Sequence, residues 1–300
     1  MESLEKFSKI EKEKPEYTSK IKLSFFRHAE KEKDKSKSDL KIRLTEEGRK
    51  NSKKKSDTLN IRQSVVFGSP RERAQETASF RMSGNQEEIT GEETFEELKD
   101  KLNKGLKVGS KISVDKRLDS DLDMESDFGK ISLENFKKGQ YLKFLVEESD
   151  SLAKEKDDTK GFTYLKSASN VAKIIEKYLS ISKRWDKLVQ DPQKNYDDTL
   201  ERYFGTHLSV GECFLAKAIE ETEGEEKRDE FVKALNNQGF DFNEGFEIEI
   251  LNSENEPSVH ISFKKELSDK EEGKEEVKNV FEFDQNLSID TIKKIAESNQ

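Results

Sequence analysis

Three short apolar runs in this chain each lead, directly or across one polar loop, into a helix-start signal, and this order constrains the fold more than any other feature. The first is IKLSFF at 21–26, followed by the loop EKEKDKSKSD and then by LTEEGRKNSKKKSDTL. Thr45 stands where a helix N-cap belongs, with Glu46 and Glu47 in the first turn, where the helix dipole favours negative charge. The second run, SVVFG at 64–68, feeds SPRERAQETASF, in which Ser69, Pro70 and Glu72 read as N-cap, first helical residue and third position of a capping box. The third, TLERYFGTH at 199–207, feeds SVGECFLAKAIE, with a second capping box at Ser209 and Glu212. Ahead of it, Val171, Ile175, Tyr178, Trp185 and Leu188 share one face of a long helix over about 166–190. Strand-then-helix units repeated in this way predict an α/β fold, a three-layer sandwich whose sheet is mostly parallel.

Residues 1–19 read as a charged leader without a packed structure. From about 20 to 240 a single α/β domain is expected, interrupted at about 81–165 by a polar, glycine-spotted insertion or cap that carries KISVDKRL and short helical patches such as FEELKDKLNKG. After residue 240 the pattern changes. Phe246, Ile248 and Ile250, then Val259, Ile261 and Phe263, alternate with other residues around the turn NSENEP, which predicts a β-hairpin. A lysine- and glutamate-rich loop and a helix near SIDTIKKIAES complete an expected extension over 241–300.

With 40% charged residues, the surface must be densely ionic, and a net charge of −9 argues against nucleic acid as a partner. The lone Cys213 excludes a disulfide framework and a cysteine zinc site, and fits a reducing compartment. Neither a secretory signal nor an apolar run near the ~20 residues that span a bilayer is present. A cytoplasmic protein without a membrane partner is expected; oligomeric state cannot be read.

In open α/β sheets, ligands gather beyond the carboxyl ends of the strands, where helix N-termini point donors at anions. Arg27 and His28 follow the first strand, Arg71 and Arg73 follow the second, and Gly205, Thr206 and His207 end the third. Two histidines and two arginines converging there would hold a phosphoryl group. Guanidinium forks match phosphate oxygens bidentately and stay charged. A neutral imidazole can attack phosphorus and carry the group as phosphohistidine, in a scheme that requires neither metal nor other cofactor.

In sequence, FFRHAEK, LTEEGR, GSPRERAQETA and GTHLSVGECFLAKA resemble the histidine phosphatase superfamily, the phosphoglycerate mutase-like fold. The resemblance covers roughly 21–80 and 166–220. It implies that His28 is the nucleophile, Arg27 and Arg73 are phosphate ligands, and His207 completes the pocket. The usual glycine after the histidine is Ala29 here. Where many members carry a carboxylate after a leucine, this chain has RLDSDLDMESDFG, so Asp119 and Asp121 flank the expected general acid, with Glu125 and Glu30 as further options. The asparagine-containing continuation of the mutase branch is missing from EKEKDKSKSD. The resemblance therefore implies a phosphatase acting on a small phosphorylated substrate or a phosphoprotein. A phospho-ligand binding module without turnover, or a mutase-type phosphotransferase, is the alternative. Outside this set, Arg71 reads as a surface residue, His260 as outward-facing and Cys213 as core; the lysine runs at 31–37 and 53–55 read as solvated faces, with anion steering by Lys31 and Lys33 as the alternative.

Overall fold

The computed structural model describes residues 17–84, 86–106, 108–254, 256–267 and 279–299. Most of the leader and most of the lysine- and glutamate-rich loop lie outside these residues. Ser19, which the sequence assigned to the leader, already opens strand β1 (Ser19–Arg27).

Along the chain follow α1 (Glu46–Lys54), β2 (Val65–Gly68), α2 (Glu72–Ser83), α3 (Phe95–Asn103), β3 (Ile112–Val114) and α4 (Asp127–Lys137). Then come α5 (Tyr141–Phe144), α6 (Asp150–Glu155), α7 (Tyr164–Gln190), β4 (Thr199–Thr206), α8 (Val210–Glu223) and α9 (Glu225–Ala234). The chain closes with β5 (Gly245–Asn252), β6 (Ser258–Leu267), β7 (Asn279–Leu287) and α10 (Ile289–Glu297). Among the described residues the strands form one sheet in the order β3-β2-β4-β1-β5-β6-β7. The half from β3 to β1 is parallel, and from β1 onward the neighbours are antiparallel.

Consecutive aromatics of β1 serve opposite faces, as the two-residue period of a strand demands. Phe25 stacks between Phe204 and Phe246, with ring centroids 4.4 and 5.3 Å away, in the core that α7, α8 and α10 cover. Phe26 joins Val66, Phe80, Leu98 and Tyr203 in the second core, beneath α2 and α3. Helices thus lie on both faces of the sheet, as the sequence predicts; the sheet is mixed, with the expected parallel pairing at its core. The hairpin of β5 and β6 is the middle of this sheet's antiparallel half. The unanticipated β7 completes that half: Phe281, Phe283 and Leu287 face the core, a two-residue alternation that directly abuts a long charged run.

Two helix starts differ from expectation. Thr45 caps α1 by accepting the Gly48 N–H, but α2 begins only at Glu72, with Arg71 at the N-cap position and no side-chain cap. Ser69 and Pro70 therefore remain in the connection, where Ser69 takes on a different partner. At α8, Ser209 is the N-cap but adopts a left-handed conformation (φ 70°) and makes no side-chain cap. The Glu212 carboxyl instead accepts the Phe240 N–H.

Gly205 lets β4 and α2 approach closely. A Cβ there would lie 2.0 Å from the Ala74 carbonyl oxygen, a backbone atom that cannot rotate away. Gly205→Ala is therefore expected to destabilise the fold by at least about 1–3 kcal/mol, read as a lower urea midpoint at unchanged slope.

Candidate active site

His28 and His207 each stand one residue beyond a strand, and the register of those strands brings them together. β1 and β4 pair in parallel with Arg27 opposite Thr206, and the His28 N–H donates to the Thr206 carbonyl at 2.9 Å. The two imidazoles meet edge to face with ring centroids 5.1 Å apart. On the other side of β4, Gly68 of β2 pairs with Gly205. The turn leaving β2 therefore delivers Ser69, Arg71 and Arg73 to the same corner.

The His28 ring has a defined tautomer. Nδ1 lies 2.7 Å from the Ala29 carbonyl oxygen, which can only accept, so Nδ1 carries the proton and Nε2 the lone pair. The Ala29 peptide is held in turn, because its N–H donates to Thr77 Oγ1 at 3.0 Å, whose own hydroxyl donates to the Arg73 carbonyl at 2.8 Å. Thr77 thus ties the loop that carries His28 to the first turns of α2. His207 shares a 2.6 Å hydrogen bond between Nε2 and Ser69 Oγ.

Burial holds the His28 imidazolium well below the ordinary histidine value, and the charges of Arg73, Arg27 and Lys31 add to the effect. His207 is lowered in the same direction, first by burial and then by His28, Arg73 and Arg71. Both rings are therefore neutral at physiological pH, the state a nucleophile needs. In an NMR titration, their ring protons are expected to keep neutral-imidazole shifts as pH falls through 6.5. Since the unfolded chain binds those protons first, this contribution to stability is present above pH 6.5 and is lost as pH falls below it.

Arg27 donates from Nη1 to the Phe240 carbonyl at 2.5 Å and lies over the Phe242 ring at 4.4 Å. Arg73 donates to Asp39, and its guanidinium is pushed down to about 10 by burial and the neighbouring Arg71 charge, so it stays protonated at neutral pH. The Nε atoms of Arg27 and Arg73 are both buried without a hydrogen-bond partner. Behind Arg27, burial pushes the Glu212 carboxyl up to about 7; its Oε1 accepts the Phe240 N–H at 2.7 Å. A single residue, Phe240, thus links Glu212 to Arg27 through its N–H and its carbonyl.

Of the two flanking carboxylates, Asp119 reaches the cluster. Its Oδ1 accepts from Arg71 Nε at 2.8 Å and lies 3.5 Å from His207 Nε2. The Asp121 side chain is 91% exposed and stands 3.7 Å from Arg71 Nη2. Glu30 approaches the Thr45 hydroxyl, and Glu125 donates its backbone N–H to Asp123.

Arg71, expected on the surface, belongs to this cluster, joining Asp39 to Asp119. Asp39 and Phe242 were not anticipated at all. Nothing in their local sequence marks them, since both come from polar loops brought in by the fold. Cys213 is buried in the core, as expected. His260 pairs with Asp284 on the outer half of the sheet. Among the described residues, no group of three His, Cys, Asp or Glu side chains is disposed to hold a metal ion, and no helix is long and apolar enough to cross a membrane.

Residues 23–110 match the family model "Histidine phosphatase superfamily (branch 1)". No curated protein matches the chain. Among solved structures, mycobacterial glucosyl-3-phosphoglycerate phosphatase is 13% identical, with 77% of this chain and 91% of that one covered at a TM-score of 0.39. "Mycobacterial hydrolase 2" is also 13% identical, covering 94% and 99% at 0.40. A putative phosphohistidine phosphatase SixA from Agrobacterium tumefaciens is 13% identical, covering 79% and 92% at 0.31. The stretch matched by the histidine phosphatase superfamily model holds the Arg27–His28 pair, Arg71 and Arg73.

Proposed function

We propose that this chain hydrolyses phosphate monoesters through a phosphohistidine on His28. The observation that carries this reading is the fixed tautomer of His28, with its proton held on Nδ1 by the Ala29 carbonyl and its lone pair left on Nε2. Nε2 attacks phosphorus while the bond to the leaving oxygen breaks. The Arg27 and Arg73 guanidiniums and His207 stabilise the charge that spreads over the transferring group. Asp119 gives a proton to the leaving oxygen and then takes one from the water that attacks the phosphohistidine, releasing phosphate and restoring His28. Its position 3.5 Å from His207 supports that role over the exposed Asp121.

Asp119 comes from the 81–165 segment. This supports reading that insertion as a cap on the 20–240 catalytic domain, one that selects the leaving group of a small phosphorylated substrate or phosphoprotein. In this reading the 241–300 extension adds to the domain's sheet and brings Phe242 to the site.

The test is phosphate release from two esters, one with a good aryl leaving group and one with a poor alkyl leaving group. Asp119→Asn is expected to cost about 10²–10⁴ in kcat/KM with the alkyl ester and much less with the aryl ester, because kcat/KM reports the step that forms the phosphohistidine, where only the poor leaving group needs the proton. Asp121→Asn is expected to leave both rates near wild type. Equal losses on the two esters would remove Asp119 from the acid role.

A further inference from the structure

One carboxylate of the chain is already bound where the arginines converge. Asp39 Oδ1 accepts from Arg73 Nη1 and Oδ2 from Arg73 Nη2, both at 3.1 Å, which makes a bidentate fork. Arg71 Nη1 forms an ion pair with the same Oδ2, Lys31 Nζ lies 3.4 Å from Oδ1, and the Asp39 carbonyl accepts from Arg73 Nη1 at 2.7 Å. Two guanidiniums and an ammonium thus surround two carboxylate oxygens, much as they would surround two oxygens of a phosphoryl group.

What holds Asp39 there is charge rather than packing. It opens a short 3₁₀ turn, Asp39–Lys41, in which no residue is buried, and its own side chain is 43% exposed. Arg71 has a second anchor independent of Asp39, the 2.8 Å bond from its Nε to Asp119. Arg73 is 4% exposed, seated in the first turn of α2. The arginines are therefore fixed by the fold, while the carboxylate between them sits on a surface turn.

We infer that Asp39, held at Arg73 with the help of Arg71, is an internal competitor for the oxyanion that Arg73 binds, and that it sets how tightly and selectively the site holds phosphate. This inference rests on the phosphate-site reading given above. A phosphoryl dianion entering the site exchanges one negative charge at the arginines for two, so it gains by displacing the carboxylate. A monoanion only exchanges like for like. When the product phosphate leaves, the tethered carboxylate returns to the same donors, which keeps product from accumulating on the enzyme. The apparent affinity for phosphate is reduced by the fraction of molecules in which Asp39 has left the arginines.

The experiment is calorimetric titration of the full chain with inorganic phosphate, comparing wild type with Asp39→Asn, Asp39→Glu and Arg73→Ala, each checked by circular dichroism. Asp39→Asn, near-isosteric but uncharged, is expected to bind phosphate roughly tenfold tighter, the gain when a competent fraction of about one tenth becomes the whole population. Asp39→Glu, which keeps the charge, is expected to bind as wild type does. If Asp39→Asn binds no tighter than wild type while Arg73→Ala weakens binding, Asp39 merely positions the arginines and the inference falls, with the phosphate site intact. If wild type does not bind phosphate, or Arg73→Ala leaves binding unchanged, the phosphate-site reading itself falls.

Discussion

Alanine at position 28 is expected to remove turnover of an aryl phosphate by at least about four orders of magnitude, because the proposed covalent intermediate forms on that ring. The size of the loss follows from what the structure assigns to this one ring. Its Nδ1 proton is held by the Ala29 carbonyl, and its Nε2 lone pair is kept unprotonated by burial and by three cationic neighbours. His207, 5.1 Å away, cannot substitute, since its Nε2 is engaged by Ser69. The arginines do not depend on the imidazole for their anchors, so His28→Ala should still bind phosphate. Retained binding with lost turnover distinguishes a missing nucleophile from a collapsed site. A residual rate within about tenfold of wild type would mean that the phosphoryl group travels another way.

Arg73→Ala carries the second large effect, a fall of about 10²–10³ in kcat/KM, the scale reported by removal of one preorganised charge donor. The guanidinium is buried, and it stays charged despite a value pushed down to about 10. Both its terminal nitrogens already make a planar fork with a carboxylate. Arg73→Lys should recover little, because an ammonium offers a point charge in place of two parallel donors. The measurement is steady-state kinetics with the aryl ester for both variants; full activity in the lysine variant would show that charge alone suffices there.

The parts of this molecule that local sequence dictates were legible, and those that depend on long-range closure were not. β1, β2 and β4 announced themselves as short apolar runs, and Thr45 caps α1 as its side-chain chemistry requires. The strand-end residues followed from the same pattern, since a parallel sheet sets its carboxyl ends side by side. Ser69 shows the limit. Its position before Pro70 and Glu72 looks like an N-cap, but a 2.6 Å bond to His207, a residue 138 positions away, claims the hydroxyl instead. Arg71 looked like a solvent-facing arginine because its anchors, Asp39 and Asp119, lie 32 and 48 residues distant. Asp39 sits in a lysine-rich loop where an acid carries no signal. Phe242 reaches the site only because β5 pairs antiparallel with β1, which carries the loop before Gly245 back over Arg27. Asp119 and Asp121 likewise look alike in sequence, although two residues along an extended segment separate a carboxylate that is 13% exposed from one that is 91% exposed.

The most direct measurement is to trap the intermediate. Asp119→Asn protein, in which water attack on the phosphoenzyme should be slowed, is mixed with an aryl phosphate, quenched in base and digested, and the fragments are weighed. The expected result is one added phosphoryl group, on the fragment containing His28 and acid-labile as a phosphoramidate is. Release of the aryl product with no phosphorylated histidine, or with the group on a different residue, would contradict a phosphohistidine on His28.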